Sequence, residues 1–249
     1  MAPRVIAHRG ASGLEPEHTQ RAYERAIELG ADGVECDVRL TRDEVLVCIH
    51  DRTVDRTSNG SGVVSTMRYA DLQRLDFGSW RGEPAELLTF ERLVTTILAA
   101  GRPMEIAVET KHPTRYGGKV EQEVVATLER YGLAAGRGGD GVTARVMSFS
   151  PPAVTRARRL APELPTVQLM QRIPPNRRDG SLGGAATIAG PSLASMRAYP
   201  GFVARAHEKG HEVHVWTVDA VADLEYLADL GVDAIITNRP DIAIAHFGR

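Results

Sequence analysis

The sequence predicts an α/β protein in which short strands alternate with helices, and one closed barrel is the favoured architecture. Short apolar and β-branched runs recur between stretches with helical periodicity. Two joints, 29–34 and 230–235, share the form Leu-Gly-x-Asp-x-Val/Ile, in which glycine can end a helix just before the next strand. The chain has 249 residues, and one such barrel typically has about 250. We therefore expect a single domain over residues 1–249.

The individual elements follow from the same patterns, taken in chain order. Strands are predicted where apolar and β-branched residues run between turn residues, and helices where apolar residues recur at helical spacing. The predicted strands are 4–8, 33–39, 45–50, 104–110, 145–149, 166–169, 212–216 and 234–237, with a weaker candidate at 186–189. The predicted helices are 18–29, 91–99, 119–131, 152–160, 201–209 and 220–230.

Two stretches depart from this alternation. Residues 52–84 form a polar, glycine-containing insertion after the strand that ends at His50, with a short helix near 69–75. Residues 171–191 are rich in proline, glycine and arginine. Long loops in a compact domain are commonly functional. In a barrel, both stretches would lie beside the active face.

Composition excludes several classes of function. The formal net charge is −2 with both signs interspersed, so the chain has no basic surface for nucleic acid and no polybasic membrane anchor. No apolar run approaches the ~20 residues of a membrane-spanning helix, and the N-terminus lacks the pattern of a secretory signal, so we expect a cytoplasmic protein. Cys36 and Cys48 lie within predicted strands without disulfide or zinc spacing. The oligomeric state stays open.

Three carboxylates are the first candidate functional residues. Side chains alternate across a strand, so Glu35 and Asp37 share one face, and Glu109 lies near the end of another strand. The carboxyl ends of barrel strands meet at the active face. Buried carboxylates need a compensating cation, and hard oxygen donors favour Mg²⁺ or Ca²⁺ over zinc. Ion pairs with Arg9 and Lys111, or a solvated edge strand, are the alternative interpretation.

Two histidines are candidates for proton transfer. His8 and His50 end two different predicted strands beside the carboxylates. An imidazole with a pKa near neutral can give or take a proton at physiological pH, so two of them supply one acid and one base. The alternative for each is a core histidine that is hydrogen-bonded to backbone.

Two cations and a tryptophan are candidates for substrate binding. Arg9 offers a fork that matches two phosphate oxygens, and Lys111 offers a point charge. Both can also serve as counterions of the acidic residues. Trp216 shares a strand face with His214 toward the predicted carboxyl end of that strand. It is interpreted either as an apolar wall for an alcohol group or as a core residue that caps the barrel.

These residues fall within segments that match, in order, the motifs of a known family. The matching segments are His8-Arg9-Gly10, Pro16-Glu17-His18-Thr19, Gly30-Ala31-Asp32, Glu35-Cys36-Asp37-Val38, Thr41-Arg42-Asp43, His50-Asp51, Arg56-Thr57 with Gly60 and Gly62, Glu109-Thr110-Lys111, Ser148-Phe149, Val215-Trp216-Thr217 and Thr237-Asn238-Arg239-Pro240-Asp241. As a set they resemble the glycerophosphodiester phosphodiesterases. The resemblance runs from the first predicted strand to the last.

The resemblance implies a TIM barrel with an insertion after the His50 strand and a divalent metal on the equivalents of Glu35, Asp37 and Glu109. It also implies that His8 and His50 form the acid and base pair. In that mechanism the neighbouring glycerol hydroxyl attacks phosphorus with help from the metal and a base, and the other histidine protonates the departing alcohol. Water then opens the resulting cyclic phosphate. The metal, with the two candidate cations, would stabilise the phosphoryl oxygens.

One position departs from the family pattern. The family usually has asparagine after Pro-Glu, where this chain has His18. Histidine caps a helix poorly, so Thr19 or a shifted boundary is expected to take over. Whether His18 contributes to the site is left open. Glu17 does match, and the resemblance implies a position near the metal or its waters.

The predicted function is therefore metal-dependent hydrolysis of glycerophosphodiesters, such as glycerophosphocholine or glycerophosphoethanolamine, to glycerol 3-phosphate and an alcohol. The rivals on the same barrel are a lysophospholipase D-like activity and a phosphoinositide phosphodiesterase. The first would need apolar surface for an acyl chain, of which an aromatic content of 5% gives little sign. The non-enzymatic rival is a catalytically silent barrel that binds phosphodiesters or a partner protein. A silent relative should have lost at least one of the two histidines and three carboxylates, and all five are present.

Overall fold

Eight parallel strands form the wall of a closed barrel in the computed structural model, which describes residues 2–248. The strands are β1 (Arg4–His8), β2 (Gly33–Leu40), β3 (Leu46–Cys48), β4 (Glu105–Thr110), β5 (Thr143–Ser148), β6 (Thr166–Met170), β7 (Ile188–Pro191), β8 (Glu212–Trp216) and β9 (Ala234–Thr237). The sheet runs β1-β9-β8-β7-β6-β5-β4-β2, and the pairing of β1 with β2 closes it. The predicted TIM barrel is therefore confirmed.

Helices cover the outside of the wall. They are α1 (Gln20–Glu28), α2 (Tyr69–Leu72), α3 (Phe90–Leu98), α4 (Lys119–Arg130), α5 (Pro151–Leu160), α6 (Leu193–Ala198), α7 (Phe202–Glu208), α8 (Val221–Leu230) and α9 (Pro240–His246). Apart from α2, which lies in the insertion, their buried apolar faces and the outward faces of the strands share one large cluster of buried residues. Thr19 caps α1 by accepting a hydrogen bond from the backbone of Ala22, so the expected shift of the cap away from His18 is confirmed.

Two differences from the predicted elements have clear physical reasons. The predicted strand 45–50 contracts to β3, which pairs antiparallel with β2 and lies outside the wall. Only five residues separate the two strands, and a parallel crossover needs about a dozen or more. The weak candidate at 186–189 is the wall strand β7 instead. Helices α6 and α9 were not predicted, because six or seven residues are too few to establish a helical period.

The inside of the barrel is built in layers. Its middle is apolar and contains Ile6, Ala107, Met147, Val167, Leu169, Ile188, Ala234 and Ile236. At the amino end of the strands, Arg4 and Arg145 form ion pairs with Glu105 and Glu212. His214 belongs to this lower network, since its Nε2 lies 2.9 Å from an oxygen of Glu212. The expectation that His214 lies with Trp216 toward the active face was therefore wrong.

The predicted insertion packs beside the mouth of the barrel. It contains α2 and a cluster of apolar side chains that includes Val54, Val64 and Phe77, packed with Ile49 from the chain just before it. The Tyr116 hydroxyl shares its proton between the carbonyls of Thr41, at 2.8 Å, and Ser65, at 3.2 Å, which joins the loop after β4 to the end of β2 and to the insertion. Among residues 2–248, none of the helices combines the length and apolar character needed to cross a membrane.

Candidate active site

The turn after β1 places two candidate residues at the carboxyl end of the barrel. His8 ends β1, and Arg9 follows with a φ of 58°. Gly10 has a φ of 78°, and a Cβ there would lie 2.6 Å from the backbone of Ala22, so this turn requires glycine. The backbone N of Arg9 donates to the carbonyl of Glu35 at 3.0 Å, which ties the turn to β2.

A hydrogen-bond chain fixes the ring of His8. Asn238 directs its Nδ2 to a carboxylate oxygen of Asp219 at 2.7 Å, and a carboxylate at neutral pH only accepts. The Oδ1 of Asn238 therefore faces His8, whose Nδ1 donates to it at 2.7 Å. Nε2 of the neutral ring then carries the lone pair, and its nearest acidic atom is an oxygen of Glu35 at 3.8 Å. Burial, together with the charge of Arg9, lowers the pKa of His8 to about 4.

The three predicted carboxylates meet on adjacent strands. The β2–β4 register pairs Asp37 with Glu109, and the β1–β2 register pairs His8 with Glu35. One oxygen from each of the three carboxylates lies within 4.8 Å of the other two, and all three residues are buried.

Arg9 and Lys111 are the immediate counterions of this cluster. Arg9 Nε lies 3.1 Å from one oxygen of Asp37, and Lys111 Nζ lies 3.1 Å from the other and 2.9 Å from Glu109. Burial favours the neutral form of Asp37, but its contacts with His18, Lys111 and Arg9 hold the pKa well below the ordinary value. The predicted counterion role is thus present, and the Nη2 of Arg9 makes no hydrogen bond within residues 2–248.

The positive charges of Arg9 and Lys111 do not balance three ionised carboxylates. Burial and the charge of Asp37 raise the pKa of Glu109 to about 8, and the same causes raise the pKa of Glu35 well above its ordinary value. These raised pKa values mean that Glu35 and Glu109 favour their protonated forms while Arg9 and Lys111 are the immediate counterions. An additional cation in the cluster would favour the ionised forms. Three converging carboxylates are hard donors of the kind that Mg²⁺ and Ca²⁺ prefer, so the residues fit a divalent metal ion.

His50 lies in the loop after β3 and shares the pocket with His8. Its Nδ1 donates to Asp51 at 2.7 Å, and Asp51 is held in turn by Arg56. The carbonyl of His50 accepts from Arg39 Nε at 3.0 Å. Nε2 of His50 makes no hydrogen bond to any of the residues 2–248, so it is available to a ligand.

A pocket of about 260 Å³ opens on these groups. The polar side chains that line it include His8, Arg9, Glu35, His50, Glu109 and Lys111, and the apolar ones are Met147, Phe149, Leu169, Trp216 and Ile236. Trp216 meets Phe149 edge to face at 5.3 Å, while its Nε1 donates to the carbonyl of Gly190. The ring packs on the barrel core and also lines the pocket, so its position is compatible with both interpretations of Trp216.

Comparison with known proteins identifies the family. Residues 8–242 match the model of the glycerophosphoryl diester phosphodiesterase family. The chain belongs to this family. A probable glycerophosphodiester phosphodiesterase 1 of Mycobacterium tuberculosis is 47% identical over 246 residues, which cover 96% of this chain and 90% of that protein. A glycerophosphodiester phosphodiesterase of Bacillus subtilis is 34% identical over 250 residues, covering 96% of this chain and 84% of that protein.

Solved structures of the family have the same fold. An Oleispira antarctica phosphodiesterase, in complex with the product sn-glycerol-3-phosphate, superposes with a TM-score of 0.87 at 25% sequence identity. The match covers 100% of this chain and 98% of that one.

His18 is a site neighbour that sequence reasoning left open. It is buried, with its Nε2 3.0 Å from Asp37 and its Nδ1 2.8 Å from the hydroxyl of Tyr23.

Asn238 and Asp219 were missed as site residues. Asn238 directly follows the last wall strand, which is the signal that could have found it, because the carboxyl ends of barrel strands carry the active site.

Glu17 lies at the edge of this site. One of its oxygens lies 2.9 Å from Arg9, and both are contacted by Arg56. Glu17 is not part of the group of three carboxylates that could hold a metal ion. Glu17 links Arg9 to the insertion, because Arg56 is a residue of the insertion. Arg56 also forms an ion pair with Asp51 beside His50.

Proposed function

We propose that this chain hydrolyses glycerophosphodiesters to glycerol 3-phosphate and an alcohol. The observation that carries the proposal is one pocket lined by two imidazoles with available Nε2 atoms, two cations and converging carboxylates. Family membership supports it, as does the product in the related Oleispira antarctica structure. The proposed partner is a small molecule, and the cytoplasm stays the predicted compartment.

We propose that Glu35, Asp37 and Glu109 hold a divalent cation, either Mg²⁺ or Ca²⁺. When bound, such an ion would polarise the phosphoryl oxygens and neutralise the charge that develops on them. The Nη2 of Arg9 and the Nζ of Lys111 would bind the same phosphate, the first as one arm of a fork and the second as a point charge. Trp216 and Phe149 would wall the carbon side of the substrate.

The two histidines would carry the protons. A base takes the proton of the glycerol hydroxyl as that oxygen attacks phosphorus, and an acid protonates the departing alcohol. A cyclic phosphate results, and water opens it with the two roles exchanged. Each histidine acts at Nε2, because Nδ1 is held by Asn238 in His8 and by Asp51 in His50.

Alanine variants of the two histidines test these roles. We expect His8→Ala and His50→Ala each to lower kcat on glycerophosphocholine by about 10²–10⁴-fold, as loss of a general acid or base does. The p-nitrophenyl diester of glycerol phosphate needs no acid for its leaving group, so the variant that lacks the first-step acid should recover on it. The exposed His246→Ala serves as the matched control. Failure of both variants to recover would contradict the acid assignment.

A substrate panel with chelation tests the rest of the proposal. Glycerol 3-phosphate release should stop after chelation and return with Mg²⁺ or Ca²⁺, and activity that ignores the chelator would contradict the metal assignment. Lysophosphatidylcholine should be a poorer substrate than glycerophosphocholine, because the apolar wall is only a few side chains in a pocket of about 260 Å³. A strong preference for the acylated substrate would favour the lysophospholipase D-like rival instead.

A further inference from the structure

A second cavity lies beside the pocket, and Lys111 lines both. It has a volume of about 360 Å³ and lies between β2, the insertion and the loop after β4. Its charged lining residues are Arg39, Arg52, Lys111 and Arg115. Among the described residues that line this cationic cavity, none carries a carboxylate.

Three of these four cations form no close ion pair with a carboxylate. Within residues 2–248, no carboxylate oxygen lies within 4.0 Å of a side-chain nitrogen of Arg39, Arg52 or Arg115. Arg39 donates to the carbonyl of His50, and Arg115 donates to the carbonyl of Ser65 and lies 5.6 Å from the centre of the Tyr116 ring, so these contacts are all with uncharged groups. Arg39 is also half-buried. A half-buried guanidinium group that forms no ion pair, as in Arg39, favours binding of an anion, and Arg52 and Arg115 add exposed positive charge to the same cavity.

The cavity and the pocket meet at Lys111, which lines both. Arg39 lies two positions beyond Asp37 on the same face of β2, just as Lys111 lies two positions beyond Glu109 after β4. Strands β2 and β4 are still adjacent at the level of Arg39 and Lys111, because Val38 pairs with Thr110. A diester whose phosphorus lies at the carboxylate cluster could therefore extend one arm past Lys111 into the cavity.

We propose that the cationic cavity binds a phosphate group on the head group of the substrate. The inference rests on the proposed phosphodiesterase activity and names its substrate class, namely glycerophosphodiesters whose alcohol carries a second phosphate. A phosphate monoester has a charge of about −1.5 to −2 at neutral pH and several acceptor oxygens. Guanidinium forks match that geometry, and the absence of a carboxylate in the described lining disfavours a cationic head group.

A matched pair of substrates tests the proposal. Glycerophosphoinositol 4-phosphate and glycerophosphoinositol differ by one phosphate, and we expect kcat/KM to favour the first by about tenfold, mainly through KM. The double variant Arg52→Ala/Arg115→Ala removes two exposed cations and should bring the ratio close to one. Arg159→Ala/Arg197→Ala removes the same charge from helices α5 and α6 and should keep the preference. An unphosphorylated substrate preferred by the wild type, or a preference retained by the double variant, would overturn the proposal.

Binding of the free head group separates this proposal from the activity on which it rests. Calorimetry with inositol 4-phosphate and the wild-type chain should detect binding, and Arg52→Ala/Arg115→Ala should weaken it by about tenfold. Diester cleavage without preference and without inositol 4-phosphate binding would remove the cavity proposal and leave the activity. Binding that depends on these arginines, without cleavage of any diester, would retain the cavity as an anion site and remove the activity.

Discussion

His18 occupies a position that demands an uncommon backbone conformation and gives it a partner in the site. Its φ is 61°, in the left-handed region that asparagine adopts more readily than most side chains. The usual family asparagine therefore fits the backbone, whereas histidine reaches further, to Asp37 on one side and Tyr23 on the other. His18 thus orients Asp37, one of the three proposed metal ligands, through a hydrogen bond to its carboxylate.

Variants at His18 separate the backbone requirement from the contact with Asp37. We expect His18→Ala to lower the free energy of unfolding by about 2 kcal/mol, because Asp37 loses a charge-assisted hydrogen bond. Metal affinity should fall by about tenfold, as it does when a residue that orients a metal ligand is removed. His18→Asn should lose less stability, because asparagine tolerates the left-handed backbone. Urea unfolding and calorimetric metal titration measure both effects, and equal results for alanine and asparagine would refute the explanation.

Candidate residues on strands could be predicted from the sequence, but their supporting contacts could not. Period-two alternation placed Glu35 and Asp37 on one face, and the convergence of barrel strands brought Glu109 to them. The contact of His8 with Asn238 joins positions 230 apart in the sequence. Such a partner depends on barrel closure and on rotamers that no local pattern encodes.

At the scale of elements, a buried carboxylate joins two neighbouring helices. Glu121 on α4 is fully buried, and its two oxygens accept from His112 at 2.7 Å and from Arg156 on α5 at 2.8 Å. Burial raises the pKa of Glu121, but the contacts with His112 and Arg156 outweigh it and hold the pKa below the ordinary value. The ionised form therefore stabilises the folded state.

Removal of this charge should destabilise the helix pair in a pH-dependent way. We expect Glu121→Gln to lower the free energy of unfolding at pH 7 by about 2 kcal/mol, because hydrogen bonds to a charged group are lost. A carboxyl group with a lowered folded pKa stabilises the protein above its unfolded pKa, and the contribution disappears as the pH falls through the folded value. The difference from wild type should therefore shrink in acid. Urea unfolding at several pH values measures this, with the exposed Glu129→Gln as control, and a difference independent of pH would contradict it.

Element prediction succeeded where a pattern was long and failed where it was short or ambiguous. Most wall strands agree with the predicted ranges to within two residues, because buried parallel strands are continuous apolar runs. The orientation of β3 was not recognised, although the short turn between β2 and β3 already excluded a crossover. The ranking of 186–189 as the weakest strand reflects its glycine and proline neighbours, whose place in the wall depends on pairing with β6 and β8.

At the scale of the whole molecule, the two ends of the barrel differ in their charge balance. At the amino end, Arg4, Arg145, Glu105 and Glu212 pair two cations with two carboxylates. At the carboxyl end, three buried carboxylates face Arg9 and Lys111, and two of those carboxyl groups have raised pKa values. The lower end is therefore self-compensated, while the upper end would gain stability from the proposed cation.

A metal that binds only the folded barrel should raise its stability by mass action. At a concentration a hundred times Kd, one site contributes about 2.7 kcal/mol, and in a chain of this size each kcal/mol shifts Tm by about 2–4 °C. We expect Mg²⁺ or Ca²⁺ to raise the Tm of the chelated wild type by about 5–10 °C. Glu109→Gln should lose most of this shift, because it removes one of three ligands, while the exposed Glu163→Gln should keep it. Thermal unfolding with and without each ion measures the shift. A Tm that rises equally in both variants would place the ion elsewhere on the protein and would contradict a site at the mouth of the barrel.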